Sequence, residues 1–229
     1  MKINTLAAVA LALTISFGTL SCSKDKDNDN QEVVVPEYNA KVKVKDGETV
    51  DLIKVSVSKD VQGTLTRIGN RYKLREFRQG VLNDNKTAVG TPNASFYYDF
   101  KENDGTTNDG ALSLAGAGRN YIMQANLSKG YKLAFIDKSF DQVTATDSFT
   151  EAAEGKLGLN SATTAGWITY SGNPNHQLIP VANRTFIILK DNKPQFKFVV
   201  NSTYSNEKPE KEVQPTNYYF YSIDYQEFK

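Results

Sequence analysis

The chain contains few of the side chains that bind metals or act as nucleophiles. Its 229 residues include one cysteine, one histidine, one tryptophan and two methionines. One cysteine excludes an intramolecular disulfide, and so few Cys and His ligands exclude a structural zinc site within one chain. The 27 basic and 26 acidic residues give a net charge of +1. Because nucleic-acid binding depends on excess Lys and Arg, we expect no nucleic-acid partner.

The single cysteine ends a segment that is typical of a secretory signal. Lys2 precedes an apolar run over residues 6–17, and the small Ser21 stands before Cys22. The run is shorter than the about 20 residues that cross a membrane. A cysteine at this place resembles the lipobox of bacterial lipoproteins, where the thiol takes up lipid and becomes the new N-terminus. We predict a signal peptide over 1–21 and lipidation of Cys22; the alternative is an ordinary signal peptide with an incidental cysteine.

A polar segment follows the cysteine. Residues 23–30 contain no apolar side chain, which predicts a flexible linker over 22–38 and a folded domain over 39–229. An acidic stretch directly after a lipidated cysteine also resembles the surface-export signal of lipoproteins in the Bacteroides group. We therefore expect a lipoprotein that is anchored in the outer membrane by its lipid and is exposed on the cell surface. The alternative is a plain spacer on the periplasmic side.

Alternation of apolar and polar residues, typical of strands, dominates the rest of the chain. The strand-like segments are 41–45, 50–57, 71–78, 96–100, 121–127, 131–136, 166–171, 184–190, 195–200 and 217–225. Gly130 predicts a hairpin between the segments before and after it, because its turn needs a positive φ. Asp191 to Pro194 predicts another turn.

One segment favours a helix instead. Ser148 and Glu151 have the spacing of a capping box, and Gly155 can end a helix, which predicts a helix over 147–155. At most one short helix among many strands predicts an all-β fold, a single antiparallel β-rich domain. The aromatic runs at 96–100 and 218–221 are expected to pack in its core.

The residues present give little support for an enzymatic function. Lipidation of Cys22 excludes a Cys-His pair, and a Ser-His-Asp triad would depend on His176 without a Gly-x-Ser-x-Gly elbow. Paired carboxylates could hydrolyse glycosides, but the 26 acidic residues allow many pairs and the sequence selects none. We therefore expect that the protein is not an enzyme.

The only histidine, His176, lies in a loop of turn-forming residues that follows the strand containing Trp167 and Tyr170. A loop imidazole beside aromatic side chains can be an axial ligand of haem iron, with Met123 or a tyrosine as the second ligand. The alternative is an exposed histidine hydrogen-bonded within its loop, and for Met123 a core side chain. Composition alone favours this alternative.

Several segments near the C-terminus carry a family pattern. They read Gly-Trp-Ile-Thr-Tyr-Ser at 166–171, Asn-Arg-Thr-Phe-Ile-Ile at 183–188 and Gln-Phe-Lys-Phe at 195–198, followed by the aromatic strand at 218–221. These segments resemble the HmuY family, haem-binding surface lipoproteins of Bacteroidetes. The resemblance implies an all-β fold that feeds haem to an outer-membrane receptor, which we expect to be TonB-dependent.

The resemblance also implies two axial histidines, one before and one after the strand that carries Trp167. Alignment on this residue places the two positions at Phe140 and Gly172, and neither side chain can ligate iron. His176 follows Gly172 in the same loop. The family's pair of histidine ligands is therefore absent.

The sequence thus predicts a surface lipoprotein that binds haem or another porphyrin. His176 is the expected iron contact, and Met123 and Tyr170 are further candidate haem-binding residues. The alternative is a lipoprotein of the same fold that binds a protein or a glycan.

Overall fold

Backbone pairing follows most of the alternation in the sequence and produces an all-β fold. The computed structural model of the protein describes residues 41–55, 61–82, 89–92, 96–114 and 121–229. The described residues form sixteen strands, paired antiparallel, and one α-helix, α1 (Leu52–Val55). The predicted fold class, a single antiparallel β-rich domain with at most one short helix, is confirmed for this part of the chain.

The strands in chain order are β1 (Thr49–Asp51), β2 (Val61–Ile68), β3 (Arg71–Leu82), β4 (Val89–Pro92), β5 (Phe96–Asp99), β6 (Asp104–Thr107), β7 (Leu112–Ser113), β8 (Met123–Ala125), β9 (Tyr131–Ile136), β10 (Thr150–Glu151), β11 (Lys156–Leu157), β12 (Ile168–Tyr170), β13 (Leu178–Pro180), β14 (Thr185–Lys190), β15 (Lys193–Tyr204) and β16 (Tyr218–Glu227). Short 3-10 helices lie at Leu127–Lys129, Phe140–Gln142, Ala153–Gly155 and Ser205–Glu207.

The strands form two principal sheets. The large sheet has nine strands in the order β1-β2-β3-β16-β15-β14-β9-β10, with β4 paired to β3. A five-stranded sheet has the order β11-β8-β7-β5-β6, and β12 pairs with β13 alone. The β14–β15 hairpin turns through Asp191 and Asn192, whose φ angles are 52° and 63°. Positive φ at both positions matches the type I′ turn, so the predicted turn is confirmed.

Aromatic residues fill the interface between the large sheet and the five-stranded sheet. The ring of Phe100 lies 5.0 Å from that of Tyr225. The Tyr225 hydroxyl donates to Asn103 Oδ1 at 2.7 Å, so at 3.0 Å it accepts from the hydroxyl of Tyr98. Asn103 donates in turn to the carbonyl of Val42 at 3.1 Å. Burial raises the pKa of both tyrosines, which keeps these hydroxyls neutral.

A short cover segment, residues 137–143, crosses the outer face of the large sheet. Lys197 alternates with two core phenylalanines on β15 and so points away from the core, yet it is buried. Its Nζ donates to the carbonyls of Phe140 at 2.8 Å and Val143 at 2.9 Å and lies 4.8 Å from the Phe140 ring centre. One lysine therefore attaches the cover segment to the sheet.

The predicted helix over 147–155 is wrong. Thr150–Glu151 form β10, which pairs with β9, and Glu154 has a φ of 53°, which is not helical. The carboxylate of Glu151 accepts from Lys132 on β9 at 3.0 Å. Pairing with β9 is favoured over a helix here, because so short a helix has little stability without tertiary contacts.

The chain near Gly130 does not form the predicted hairpin. Gly130 has the expected positive φ, 74°. However, β8 pairs with β7 and β11, whereas β9 pairs with β14 and β10. The turn therefore carries the chain from the five-stranded sheet to the large sheet, so that both segments bury their apolar faces in the shared core.

Two N-terminal strand predictions also need correction. Val42 and Val44 are buried as the alternation of 41–45 predicts, but this segment forms no strand. In the predicted strand 50–57, β1 ends at Asp51 and α1 follows, while residues 56–57 lie outside the described residues. The carboxylate of Asp51 accepts from the amide of Ile53 at 3.2 Å, which favours a turn over an extended chain.

The predicted signal peptide, the lipidation site Cys22 and the predicted linker lie outside the described residues, which begin at residue 41. They stay predictions.

Replacing Tyr225 by Phe tests the hydrogen-bond chain between the sheets. The change leaves the buried Asn103 Oδ1 and the Tyr98 hydroxyl without their partner, so we expect a loss of about 1–3 kcal/mol in the free energy of unfolding. Urea unfolding of both proteins measures it. Tyr131→Phe, at a half-buried position on β9, is the control and should change stability little; equal losses in the two variants would contradict the assignment.

The pair Asp137–Arg184 predicts a pH dependence of stability. The Asp137 carboxylate accepts from Arg184 Nε at 2.6 Å and from Nη2 at 2.9 Å. These hydrogen bonds hold the pKa of Asp137 below its usual value. Its folded pKa is therefore lower than its unfolded pKa, so its stabilisation is complete above about pH 4 and is lost as the pH falls through the folded pKa.

The stability difference between the wild type and Asp137→Asn should therefore be smaller at about pH 2.5 than at about pH 6, with the loss occurring below about pH 4. Thermal unfolding at a series of pH values measures this difference. A difference that stays constant over the range would show that the pair does not contribute in this way.

Candidate functional site

The structure brings two of the predicted site residues, Tyr170 and His176, into contact. Tyr170 ends β12, and His176 lies in the loop that leads to β13. The Tyr170 hydroxyl and His176 Nδ1 are joined by a hydrogen bond, and the ring centres are 5.6 Å apart. Tyr170 is 42% exposed and His176 is half-buried. The pair therefore lies at the protein surface.

Hydrogen bonds hold the loop of His176 in a closed shape. The backbone amide of His176 donates to the carbonyl of Gly172 at 2.7 Å, and the amide of Ser171 donates to the carbonyl of Gln177 at 2.9 Å. The Gln177 side chain donates to the carbonyl of Glu212 at 2.8 Å. Gly172 adopts a positive φ of 70° in this loop. As a glycine it contributes only backbone atoms to the site.

Four tyrosines, Tyr121, Tyr170, Tyr218 and Tyr219, form a cluster beside His176, hereafter the tyrosine cluster. The Tyr121 ring stacks on Tyr170 at 6.5 Å and lies 6.4 Å from Tyr219, which meets Tyr218 edge to face at 4.8 Å. Burial, then the neighbouring hydroxyls of Tyr170 and Tyr218, raise the pKa of Tyr121. The cluster is therefore a continuous group of rings that runs from the exposed Tyr170 through the half-buried Tyr121 to the buried Tyr219.

The buried Trp167 supports this cluster from below. Its Nε1–H donates to the carbonyl of Tyr121 at 2.6 Å, and its ring lies 6.0 Å from that of Tyr221 in the core. Trp167 thus links the cluster to the rigid core.

Three ring-bearing residues at this site have an unusual backbone conformation. Among the described non-glycine residues with positive φ, three carry an aromatic or imidazole ring: Tyr121 at 44°, His176 at 52° and Tyr219 at 70°. All three belong to the tyrosine cluster or to its histidine. Bulky residues rarely adopt positive φ, and such angles collect at binding and catalytic sites.

The hydrogen bond at Nδ1 decides what the imidazole of His176 can do. If Nδ1–H donates to the Tyr170 hydroxyl, Nε2 carries a lone pair and can bind a metal. A hydrogen bond of this kind is the usual way in which proteins orient a metal-binding histidine.

The other candidate positions lie apart from this pair. Met123 on β8 is 0% exposed and pairs in register with Leu157, so its sulfur faces the core. Phe140 is 8% exposed and packs between Lys197 and Arg71 on the outer face of the large sheet. No contact in the described part of the chain joins either residue to His176.

Sequence reasoning did not assign the tyrosine cluster to the site. The run at 218–221 was expected to pack in the core, and Tyr219, Phe220 and Tyr221 are buried there, with Tyr218 partly buried against them. Tyr219 also contacts Tyr121. In the sequence, the concentration of aromatic residues at 218–221 was the signal that could have pointed to the cluster. The contact with Tyr121 could not be seen, because almost a hundred positions separate the two segments.

Comparisons with known proteins add no identification: no family model, no curated protein and no solved structure matches this chain. Within the described ranges no helix is long and apolar enough to span a membrane. The same ranges contain no group of three or more His, Cys, Asp or Glu side chains that could hold a metal ion.

Proposed function

We propose that the protein binds haem or another porphyrin and serves haem acquisition, anchored in the outer membrane through Cys22 and presenting its cargo to a TonB-dependent receptor. One observation carries the proposal: the only imidazole of the chain is held by Tyr170, whose ring stacks on Tyr121, at the exposed end of the tyrosine cluster. The resemblance of residues 166–221 to haem-binding lipoproteins points to the same ligand.

In this proposal His176 is the single axial ligand. Its Nε2 would bind the iron, while the Tyr170 hydroxyl accepts from Nδ1–H and keeps the ring in the required tautomer. Tyr170 is thus a positioning residue as well as part of the contact surface. The buried Met123 has no role.

The macrocycle would gain most of its binding energy from apolar contact. Tyr170 is 42% exposed and Val213 is 48% exposed. The neighbours of Val213 contact the histidine loop, because Glu212 accepts from Gln177 and Gln214 donates to Asn175 at 2.8 Å. Burial of apolar surface stabilises by about 25 cal/mol per Å², so one iron ligand can suffice.

A protein- or glycan-binding surface lipoprotein predicts an exposed aromatic patch away from His176. Within the described residues the aromatic side chain with large exposure is Tyr170, and it contacts His176. This placement favours the porphyrin proposal.

Titration of the full chain with ferric protoporphyrin IX, followed by the Soret absorbance, tests the proposal. We expect a saturable Soret shift at micromolar haem, and a different Soret position in His176→Ala, because the axial bond is gone while the apolar contact remains. Tyr170→Phe should weaken binding about ten- to a hundred-fold, as removal of a histidine's hydrogen-bond partner does at metal sites. Tyr131→Phe, away from the cluster, should bind as the wild type does.

Metal-free protoporphyrin IX separates ring contact from iron ligation. It should bind equally to the wild type and to His176→Ala, measured by porphyrin fluorescence. Haem spectra that are identical in the wild type and His176→Ala would refute ligation by His176. Absence of any saturable change with either porphyrin would refute the proposed function.

A further inference from the structure

A recess lies on the outer face of the large sheet, at the edge of the cover segment. It has a volume of about 250 Å³ and is formed by β3, β14, β15 and β16 together with residues 139–141 of the cover segment. Its lining is mostly polar and includes Arg71, Asn183, Asn201 and Asp224. His176 is not part of it, so this recess is separate from the tyrosine cluster.

An irregularity in β15 directs Asn201 into the recess. Val200 pairs with Ile223 and Ser202 with Ser222, so Asn201 is an extra residue on β15, a β-bulge. Its Nδ2 donates to Asp224 Oδ1 at 3.1 Å. Bulges re-aim side chains and are frequent beside functional sites. The bulge thus places an amide and a carboxylate side by side at the recess.

At the recess, hydrogen-bond donors and acceptors lack partners among the described residues. Asp224 Oδ1 already accepts from Arg75 at 2.6 Å and from Asn201, but Asp224 Oδ2 has no partner among the described residues. In the same part of the chain, Asn201 Oδ1 and the exposed side-chain amide of Asn183 are also without partners. The recess therefore offers donors and acceptors within a small volume.

The charges of the residues that line the recess balance. Arg71 and Arg184 stand against Asp141 and Asp224. Arg71 is bonded to Asp141, and Asp224 to Arg75, which it shares with Glu207. The lining carries no net charge, so neither a strongly charged anion nor a cation is favoured. The polar lining equally disfavours an apolar ligand, which would leave these groups without hydrogen bonds.

The remaining wall is apolar but offers little stacking. Val199 and Phe140 line the recess. The Phe140 ring already carries Arg71 at 4.6 Å and Lys197 at 4.8 Å from its centre. Phe140 is 8% exposed, so its ring offers a ligand little stacking.

We propose that this recess binds a neutral, polyhydroxylated ligand of monosaccharide size, such as a terminal sugar of a glycan. A sugar ring has hydroxyls for Asp224, Asn201 and Asn183 and a C–H face for Val199. The volume of about 250 Å³ lies below the pockets of about 300–1,000 Å³ that hold larger ligands. Because the recess offers little ring stacking, we expect a dissociation constant in the millimolar range.

Saturation-transfer NMR on the full chain tests this site with D-glucose, D-galactose, D-mannose and N-acetyl-D-glucosamine. Glucuronate and glucosamine serve as charged probes. At least one neutral sugar should receive saturation, and its binding should be about ten-fold weaker in Asn201→Ala and Asp224→Asn, which each remove hydrogen-bonding capacity. Gln226→Ala, on the same strand as Asp224 but outside the recess, should bind as the wild type does.

Circular dichroism of each variant checks that it is folded, and Asn183→Ala replaces any variant that is not. Transfer to a neutral sugar that is lost in the recess variants and kept in Gln226→Ala supports the site. No transfer to any neutral sugar, transfer to a charged probe alone, or equal binding by Asn201→Ala and the wild type would each overturn it.

Discussion

The hydrogen bonds from Tyr98 through Tyr225 to Asn103 connect the two sheets within a core of aromatic and aliphatic side chains. Apolar packing alone tolerates small shifts of one sheet over the other, but a buried hydroxyl without a partner costs free energy. The polar chain, together with the hydrogen bond from the Tyr221 hydroxyl to the carbonyl of Leu114, therefore favours one relative position of the sheets. The strand that carries Tyr225 also contributes to both proposed binding sites.

That strand, β16, serves three purposes because its side chains alternate between faces. Its inward residues, Tyr221 and Tyr225 among them, build the core. Its first residues, Tyr218 and Tyr219, belong to the tyrosine cluster. Its outward Asp224 lies in the recess. The two proposed binding sites thus share one central strand but lie in different surroundings: an aromatic cluster with one imidazole, and a polar recess without net charge at the edge of the cover segment.

Position-by-position alternation was a good guide at most of the segments where it was recognised. It predicted β12, β14, β15 and β16 in the C-terminal third, but not β13 or the long β2. The turn at Asp191 to Pro194 was predicted from its residue types, because turns depend on local geometry. Sequence reasoning was wrong at 41–45, where Val42 and Val44 are buried without pairing, since burial and strand pairing are separate events. It was wrong at 147–155 because the edge of β9 offered backbone partners that the capping pattern of Ser148 could not reveal.

The candidate site shows the same division. From the sequence alone came the scarcity of ligands, the single imidazole of His176 in a turn-rich loop and the neighbouring aromatic strand with Tyr170, because residue types and short spacings are local properties. The tertiary structure decided the hydrogen bond between these two residues, the arrival of Tyr121 and Tyr219 beside them, the burial of Met123 and the recess around Asn201 and Asp224. These are contacts between distant segments, and they follow from how the sheets pack rather than from any nearby residues.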